Sequence, residues 1–298
     1  MRSQRTIKNE ASISGIGLHT GKEVMVTFKP SPPDSGIMFV RVDTDPPCEI
    51  KADISCVVDA RLATTLGRDG VTISTTEHLL GSLYGMGIDN LLIEIDSPEV
   101  PIMDGSAAPF IDLIKAAGIE EQEVPRQFIH ILKPLKITAQ DTEISLIPSR
   151  GFKITYTIDF NHQLIANQSC RVYFSQATFE REIGSARTFG LLKDLQALKT
   201  NGLAKGGSVE NAIVVGDDYI LNEEGLRFPE EFVRHKVLDL IGDTSLLGKP
   251  LIGHIIAHKS GHHLHHQLIR EILNNQSAWK LIPPTVKRTN RVCIFPQD

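Results

Sequence analysis

The segment FVRHKVLDLIGD, residues 232–243, has the periodicity of an amphipathic α-helix with one apolar stripe facing a core. The apolar positions are Val233, Val237, Leu240 and Ile241. Beside this stripe His235, Asp239 and Asp243 follow one another at four-residue intervals. Because four residues rise only about 6 Å along a helix, His235 and Asp239 reach a common ion and offer two of the three protein ligands of a catalytic zinc. A solvated helix face with a local His–Asp pair is the alternative.

A second segment, STTEHLL at residues 74–80, supplies a candidate for the third ligand. Ser74 and Glu77 have the spacing of a capping box, which predicts a helix running to about Met86. In the functional interpretation His78 binds the metal and Glu77 faces the attacking water, as the glutamate beside a ligand histidine does in zincins. In the structural alternative Glu77 only caps the helix and His78 is a buried core histidine.

Length, charge and cysteine content restrict the class of protein. A chain of 298 residues predicts about two domains, and a net charge of −5 argues against non-specific nucleic-acid binding. The N-terminal residues lead into no apolar segment of a signal peptide, and no apolar run is long enough for a transmembrane span. Four cysteines without CxxC spacing favour reduced thiols, so we expect a cytoplasmic protein. They are Cys48, Cys56, Cys170 and Cys293.

The order of predicted elements indicates a mixed α+β protein with two domains, 1–124 and 125–298. Strands are predicted at 24–28, 37–42, 90–95, 128–132, 143–147, 152–160 and 251–257, and helices at 77–86, 106–118, from about 230, and at 262–273. The acidic segment 119–126, which contains Pro125, is the predicted linker. An apolar insert near 191–214 belongs to the second domain.

The two halves repeat one order of elements. In each half a helix with His78 or His235 precedes a strand, and a Gly-containing turn then begins a second helix. The intervals agree, with 27 positions from His78 to Gly105 and 26 from His235 to Gly261. Order and spacing predict a duplicated unit related by a pseudo-two-fold axis, which places His78 and His235 at the junction of the halves.

A rival metal site lies in the histidine-rich tail. His262 and His266 are also four residues apart on a predicted helix and offer two metal ligands. The simpler interpretation is that most of these histidines are surface groups or neighbours of a site. His262 differs because it follows Gly261 in the position that matches Ser106, and Asp243 can orient it there.

Eight motifs together resemble the UDP-3-O-acyl-N-acetylglucosamine deacetylases, zinc amidases of lipid A biosynthesis in Gram-negative bacteria. They are GLHTG (17–21), STTEHLL (74–80), GIDN (87–90), PIMDGSAAPF (101–110), ARTFG (186–190), GGSVENAIV (206–214), GLRFPEEFVRHKVLDLIGD (225–243) and HKSGHHL (258–264). They cover nearly the whole chain in order. The resemblance implies two similar α+β domains, with helices packed between two β-sheets.

The resemblance also implies a role for each matching residue. The zinc ligands would be His78, His235 and Asp239. The catalytic groups would be Glu77 as general base, His262 as general acid, Thr188 as donor to the oxyanion and Asp243 as the partner of His262. Lys236 and Phe189 would contact the sugar nucleotide. The family usually has a single histidine after SG, so the resemblance gives His263, His265 and His266 no role.

Substrate recognition beyond the sugar nucleotide depends on the insert. Its leucines, beginning at Leu191, and the turn at Gly206 and Gly207 resemble an apolar passage for the acyl chain, although leucines at such spacing also simply fill a core. The expected partner is an acylated UDP-N-acetylglucosamine bound by a monomer. A nucleotide-sugar binding protein with a structural zinc and a different zinc hydrolase, such as a peptidase, remain as alternatives.

Overall fold

A computed structural model describes residues 3–283, so Cys293 lies outside the described part. The helices are α1 (Glu77–Met86), α2 (Ala108–Ala117), α3 (Gln176–Glu182), α4 (Leu192–Thr200), α5 (Glu231–Ser245) and α6 (His262–Asn274). The strands up to α2 are β1 (Ser3–Ile7), β2 (Ala11–Ile16), β3 (Glu23–Pro30), β4 (Ile37–Arg41), β5 (Cys48–Lys51), β6 (Val57–Asp59), β7 (Thr65–Arg68), β8 (Val71–Ile73) and β9 (Leu91–Ile95). The later strands are β10 (Ile119–Pro125), β11 (Phe128–Ile131), β12 (Leu135–Ala139), β13 (Thr142–Ile147), β14 (Lys153–Asp159), β15 (Asn167–Tyr173), β16 (Phe189–Leu191), β17 (Ile213–Val215), β18 (Leu251–Ile252), β19 (His254–His258) and β20 (Trp279–Ile282).

Two five-stranded sheets have the same topology. Their strand orders are β2-β3-β9-β4-β5 and β12-β13-β19-β14-β15. In each sheet the central strand, β9 or β19, is antiparallel to one neighbour and parallel to the other. The α+β fold of two similar units is therefore confirmed, and the matched strand orders explain the internal repeat. The division at residue 124 stays a prediction.

Helices α1, α2, α5 and α6 pack in the layer between the two sheets, and α1 lies against α5. Helix α5 packs on β14 and β15, α6 packs on β12 and β13, and α2 packs against β2. Every residue of α1 is buried, and so is most of α5, because both helices lie inside this layer. The layer places the N-terminal turn of α1 beside the middle of α5.

Two predicted segments differ from the observed elements. The prediction of a linker at residues 119–126 is wrong, because β10 pairs antiparallel with β1. A two-stranded ribbon exposes alternate side chains, so a strand can carry acidic residues there. The predicted strand 251–257 is two strands in different sheets, β18 on β11 and β19 between β13 and β14. The break falls at Gly253, where a Cβ would lie 2.8 Å from Leu146 Cδ1. In the described range no helix has the length and apolar character to cross a membrane.

Gly242 permits the close approach of α5 to α1. A Cβ at this position would overlap the carbonyl oxygen of Glu77, which belongs to the backbone and has little freedom to move. We expect Gly242→Ala to destabilise the protein by about 1–3 kcal/mol or more, because overpacking exceeds the roughly 1 kcal/mol that alanine gains in helix propensity. Chemical denaturation of the variant and the parent measures this difference.

Gly81→Ala is the matched control in the same helix pair. Its Cβ would lie 2.9 Å from Leu238 Cδ1, the end of a side chain that has other rotamers. A smaller loss of stability is expected there. Equal stability of Gly242→Ala and the parent would show that the two helices have room to separate.

Candidate metal centre and catalytic pocket

Glu77 and His78 are the first two residues of α1, but the predicted capping box is wrong. The N-cap is Thr76, and it makes no side-chain capping hydrogen bond. The Glu77 carboxylate instead accepts a hydrogen bond of 3.0 Å at Oε2 from the backbone N–H of Thr64. Thr75 precedes the helix with φ +58°, a left-handed conformation that is rare for a β-branched residue. The backbone therefore turns sharply here and directs Glu77 and His78 into the protein.

One turn of α5 supplies the next two groups. The Nδ1 of His235 lies 3.0 Å from the carbonyl oxygen of Ala186. Because a carbonyl only accepts, Nδ1 carries the proton and Nε2 keeps its lone pair for a metal. Burial lowers the pKa of His235 to about 3, so the imidazole is neutral. Asp239, one turn further along, is also buried.

The side chains of His78, His235 and Asp239 converge on one point. Asp239 Oδ1 lies 3.4 Å from His78 Nε2 and 3.3 Å from His235 Nε2. Tetrahedral zinc with bonds of about 2.0–2.2 Å separates its ligand atoms by roughly 3.3–3.5 Å, which these distances match. Asp239 Oδ1 is buried and accepts no hydrogen bond from the described residues. An orphaned carboxylate oxygen beside two imidazole nitrogens fits a divalent metal ion.

Lys236 supplies the positive charge next to this carboxylate. Its Nζ donates a hydrogen bond of 2.8 Å to Asp239 Oδ2, the oxygen that does not face the histidines. Burial alone would lower the pKa of Lys236, but the Asp239 carboxylate raises it above the usual value, so the ammonium keeps its charge. The Lys236 ammonium also lies 6.0 Å from the centre of the Phe189 ring.

Glu77 and His262 face each other beside the three ligands, with Glu77 Oε1 3.8 Å from His262 Nε2. The other ring nitrogen of His262, Nδ1, lies 2.7 Å from Asp243 Oδ2. Burial alone would lower the pKa of His262, but the charge and hydrogen bond of Asp243, followed by the charge of Glu77, raise it to about 9. Burial raises the pKa of Glu77. The Glu77 carboxyl group and the His262 imidazole therefore flank the candidate metal position.

Seven of the predicted site residues line one pocket: Glu77, His78, Thr188, His235, Lys236, Asp239 and His262. Asp243 lies behind His262 as its hydrogen-bond partner. Phe189 packs edge-on against Phe232 with ring centres 4.9 Å apart, next to the pocket. Leu191 and Gly207 do not line it; a Cβ on Gly207 would lie 3.5 Å from Leu18 Cδ1, one layer behind the wall. The rival pair His262 and His266 instead shares hydrogen-bond contacts with Asp243 and Thr64.

Sequence reasoning assigned no role to the remaining lining residues, which are Leu18, His19, Leu62, Ala63, Thr75 and Ile102. The sequence did contain an indication that His19 is a site residue, since His19 belongs to the GLHTG motif. The backbone N–H groups of His19 and Thr20 each donate 2.8 Å hydrogen bonds to the buried carboxylate of Glu99, which holds this turn over the pocket. The pairing of Glu99 with a turn 80 residues away has no local signature.

A larger cavity, of about 270 Å³, lies elsewhere between the halves. Tyr84, Asp89 and Arg126 are among its lining residues, and Arg126 Nε donates a 2.7 Å hydrogen bond to Asp89. None of the candidate metal ligands or catalytic groups lines it. The larger cavity is therefore separate from the candidate site, where the ligand atoms of His78, His235 and Asp239 converge.

Known proteins with sequences similar to this chain share one family name. Residues 4–274 match the family described as LpxC: UDP-3-O-acyl N-acetylglycosamine deacetylase. A protein of Myxococcus xanthus named UDP-3-O-acyl-N-acetylglucosamine deacetylase is 54% identical over 281 residues, covering 94% of this chain and 90% of that protein. A protein with the same name from Acidithiobacillus ferrooxidans is 49% identical over 97% of this chain and 95% of its own length. Another from Hahella chejuensis is 49% identical over 95% of this chain and 94% of its own length.

Proposed function

The chain belongs to the UDP-3-O-acyl N-acetylglycosamine deacetylase family, and we propose that the pocket between α1 and α5 is where it cleaves its substrate. The enzyme is an amide hydrolase of lipid A biosynthesis that removes the N-acetyl group of an acylated UDP-N-acetylglucosamine. The products are acetate and the free glucosamine amine. The observation that carries the assignment to this pocket is the convergence of three metal-ligand atoms beside the facing pair of Glu77 and His262.

The proposed cofactor is zinc, held by His78, His235 and Asp239. Zinc bound there would polarise the acetamide carbonyl and lower the pKa of water toward about 7. Three protein ligands leave a fourth position open, as in catalytic zinc sites. The hydrogen bond from His235 Nδ1 to Ala186 O and that from Lys236 to Asp239 Oδ2 orient two of the ligands.

The side chains around the metal position divide the proton transfers between them. Glu77 accepts the proton of the attacking water at its Oε1, the oxygen that does not bind the Thr64 N–H. The Thr188 hydroxyl donates to the oxyanion that develops on the oxygen of the acetyl carbonyl group. The His262 imidazolium gives its Nε2 proton to the departing amine, and Asp243 stabilises that cation through Nδ1. The donor and the acceptor face each other, with His262 Nε2 3.8 Å from Glu77 Oε1.

Substrate contacts are proposed for the residues along one side of the pocket. Lys236 and Phe189 form a cation and an aromatic surface for the sugar nucleotide. Leu191 follows Phe189 in β16 and leads into α4, which has no buried residue and keeps its leucines partly exposed. This exposed apolar edge is the proposed passage for the acyl chain. Gly207 is proposed to support this passage from behind Leu18. Its neighbour Gly206 lets the insert lie close to the GLHTG turn, since a Cβ on Gly206 would overlap the carbonyl oxygen of Gly17.

The compartment and the oligomeric state are proposed as well. A cytoplasmic protein is proposed because Cys48, Cys56 and Cys170 form no disulfide within residues 3–283, as is usual in a reducing compartment. We also propose that the enzyme acts as a monomer.

An acetate-release assay tests the proposed function. The purified protein is incubated with an acylated UDP-N-acetylglucosamine before and after chelation, and again after zinc is restored. We expect acetate to form, to stop forming with chelator and to return with zinc. Substrate binding without acetate release would indicate a nucleotide-sugar binding protein, and cleavage of peptides instead would indicate another zinc hydrolase.

The metal ligands are tested by metal content. His78→Ala, His235→Ala and Asp239→Ala are each expected to lose most of the bound zinc, since two remaining ligands do not hold it at nanomolar free metal. Atomic absorption on the purified variants measures the zinc per chain.

His263→Ala is the matched control for the metal measurement, because His263 is exposed and its Nε2 lies 2.9 Å from Gln267 Nε2, away from the pocket. Full zinc occupancy in all three ligand variants would overturn the site. Loss of zinc in His266→Ala with retention in those three would assign the metal to the tail.

A further inference from the structure

The buried carboxylate of Asp243 is surrounded by polar groups from two distant parts of the chain. Thr64 Oγ1 donates to Asp243 Oδ1 at 2.5 Å, and His266 Nε2 lies 3.3 Å from the same oxygen. His262 Nδ1 and His265 Nδ1 both lie 2.7 Å from the other oxygen, Oδ2. The proposed mechanism uses only the contact with His262. His265 is therefore a second imidazole on the same oxygen with no role assigned so far.

His265 is held so that its Nδ1 faces the carboxylate. Its side chain is 1 % exposed, and its ring packs edge-on against Tyr156 with ring centres 6.1 Å apart. Tyr156 is fixed in turn, because its hydroxyl donates a 2.6 Å hydrogen bond to the carbonyl oxygen of Ser260. A carboxylate only accepts, so the proton between Asp243 and His265 is carried by His265 Nδ1.

The geometry points to His265 as a positioning residue for the proton donor His262. By donating to the oxygen that also binds His262, it fixes the Asp243 carboxylate and takes up part of its charge. His262 then releases its proton more readily. If His262 were the only donor to the Asp243 carboxylate, it would hold that proton more strongly. This inference rests on the proposed role of His262 as the acid.

The physical reason is competition between two donors for one oxygen. The charged groups that face His262 are Asp243 and Asp239 on α5 and Glu77 on α1, and all three carboxylates favour its cation. A general acid that holds its proton too strongly is slow, since the best donor has a pKa near the working pH. A neutral donor on Asp243 Oδ2 weakens the strongest of these contacts without adding a positive charge.

His265 is suited to be that neutral donor. It is surrounded by Asp243 on α5, Tyr156 on β14, and His262 and His266 on its own helix. Burial lowers the pKa of His265, although the hydrogen bond and charge of Asp243 oppose this shift. An uncharged His265 donates through Nδ1 while His262 carries the charge.

Three variants separate this role from simple packing. His265→Leu fills a similar volume and removes the donor. His265→Asn keeps an N–H donor near the place of Nδ1. His263→Leu is the matched control on the same helix, because His263 is exposed and has no contact with Asp243 among its hydrogen bonds. Zinc content and thermal unfolding of each variant confirm that the metal and the fold are retained.

The measurement is the midpoint of His262 titration in the zinc-loaded protein, followed by ¹⁵N NMR of the histidine side chains. In His265→Leu we expect this midpoint to rise by about half to one pH unit, the effect of one lost hydrogen bond on Asp243. The alkaline limb of kcat should move upward by the same amount, with kcat at neutral pH falling roughly two- to five-fold and KM unchanged. His265→Asn and His263→Leu should resemble the parent.

The NMR midpoint and the alkaline limb of kcat test different parts of the proposal. An unchanged or lowered NMR midpoint in folded His265→Leu would overturn the role of His265, whatever the activity. A raised NMR midpoint with an unmoved kinetic limb would support the effect of His265 on His262 and overturn His262 as the proton donor. A loss of kcat in His265→Leu that His265→Asn shares, with no shift of the midpoint, would show that His265 serves packing alone.

Discussion

Glu77→Gln is expected to retain its zinc and to lose about 10²- to 10⁴-fold in kcat/KM, because the amide cannot take a proton from water. Glutamine has the shape of glutamate and still accepts the hydrogen bond that Thr64 N–H donates to Oε2. The variant therefore removes the base and preserves the contact between α1 and the neighbouring loop. Zinc content, thermal unfolding and steady-state kinetics on the acylated UDP-sugar are the three measurements.

Glu77→Ala is the comparison that isolates the structural contribution of this side chain. It removes both the base and the acceptor for Thr64, so a lower melting temperature should accompany the loss of rate. If Glu77→Gln keeps the parent rate while Glu77→Ala loses only stability, Glu77 has a structural role and the base lies elsewhere.

His262→Ala is expected to lose about 10²- to 10⁴-fold in kcat/KM, roughly 3–5 kcal/mol of transition-state stabilisation, and to lose the alkaline limb of the pH profile. The active form of His262 is the cation, whose pKa is raised to about 9 by the Asp243 carboxylate against the effect of burial. The parent activity should thus fall as the pH rises through that value. A bound divalent cation lowers the pKa, so the limb is expected at or somewhat below pH 9.

The pH profile distinguishes proton donation from a general disturbance of the pocket. His262→Ala should keep its zinc, since the proposed ligands are His78, His235 and Asp239, a group that does not include His262. A variant with nearly parental activity and an unchanged alkaline limb would show that another group or solvent protonates the amine. Because neighbouring groups titrate together, the limb reports a property of the pocket as a whole.

The fold followed from patterns that are local in the chain. The four-residue spacing of His235 and Asp239 beside an apolar stripe predicted a helix with both groups on one ridge, and α5 has this form. The repeated order of helix, strand and turn predicted two similar units, which the two sheets confirm. The predicted linker at 119–126 and the predicted single strand at 251–257 were wrong. The strand pairing of the first and the close contact at Gly253 in the second depend on residues distant in the chain.

The sequence by itself determined the family and predicted seven of the residues that line the pocket, since motifs and helical spacing depend only on neighbouring residues. The tertiary structure alone decided how those residues meet. Glu77 had the spacing of a capping residue, and only its contact with Thr64 N–H and its approach to His262 separate it from that role. His265 had no local signal, because its partner Asp243 lies 22 residues away on another helix. Contacts between residues distant in the chain are set by the packing of α1, α5 and α6 between the sheets, which no short stretch of sequence encodes.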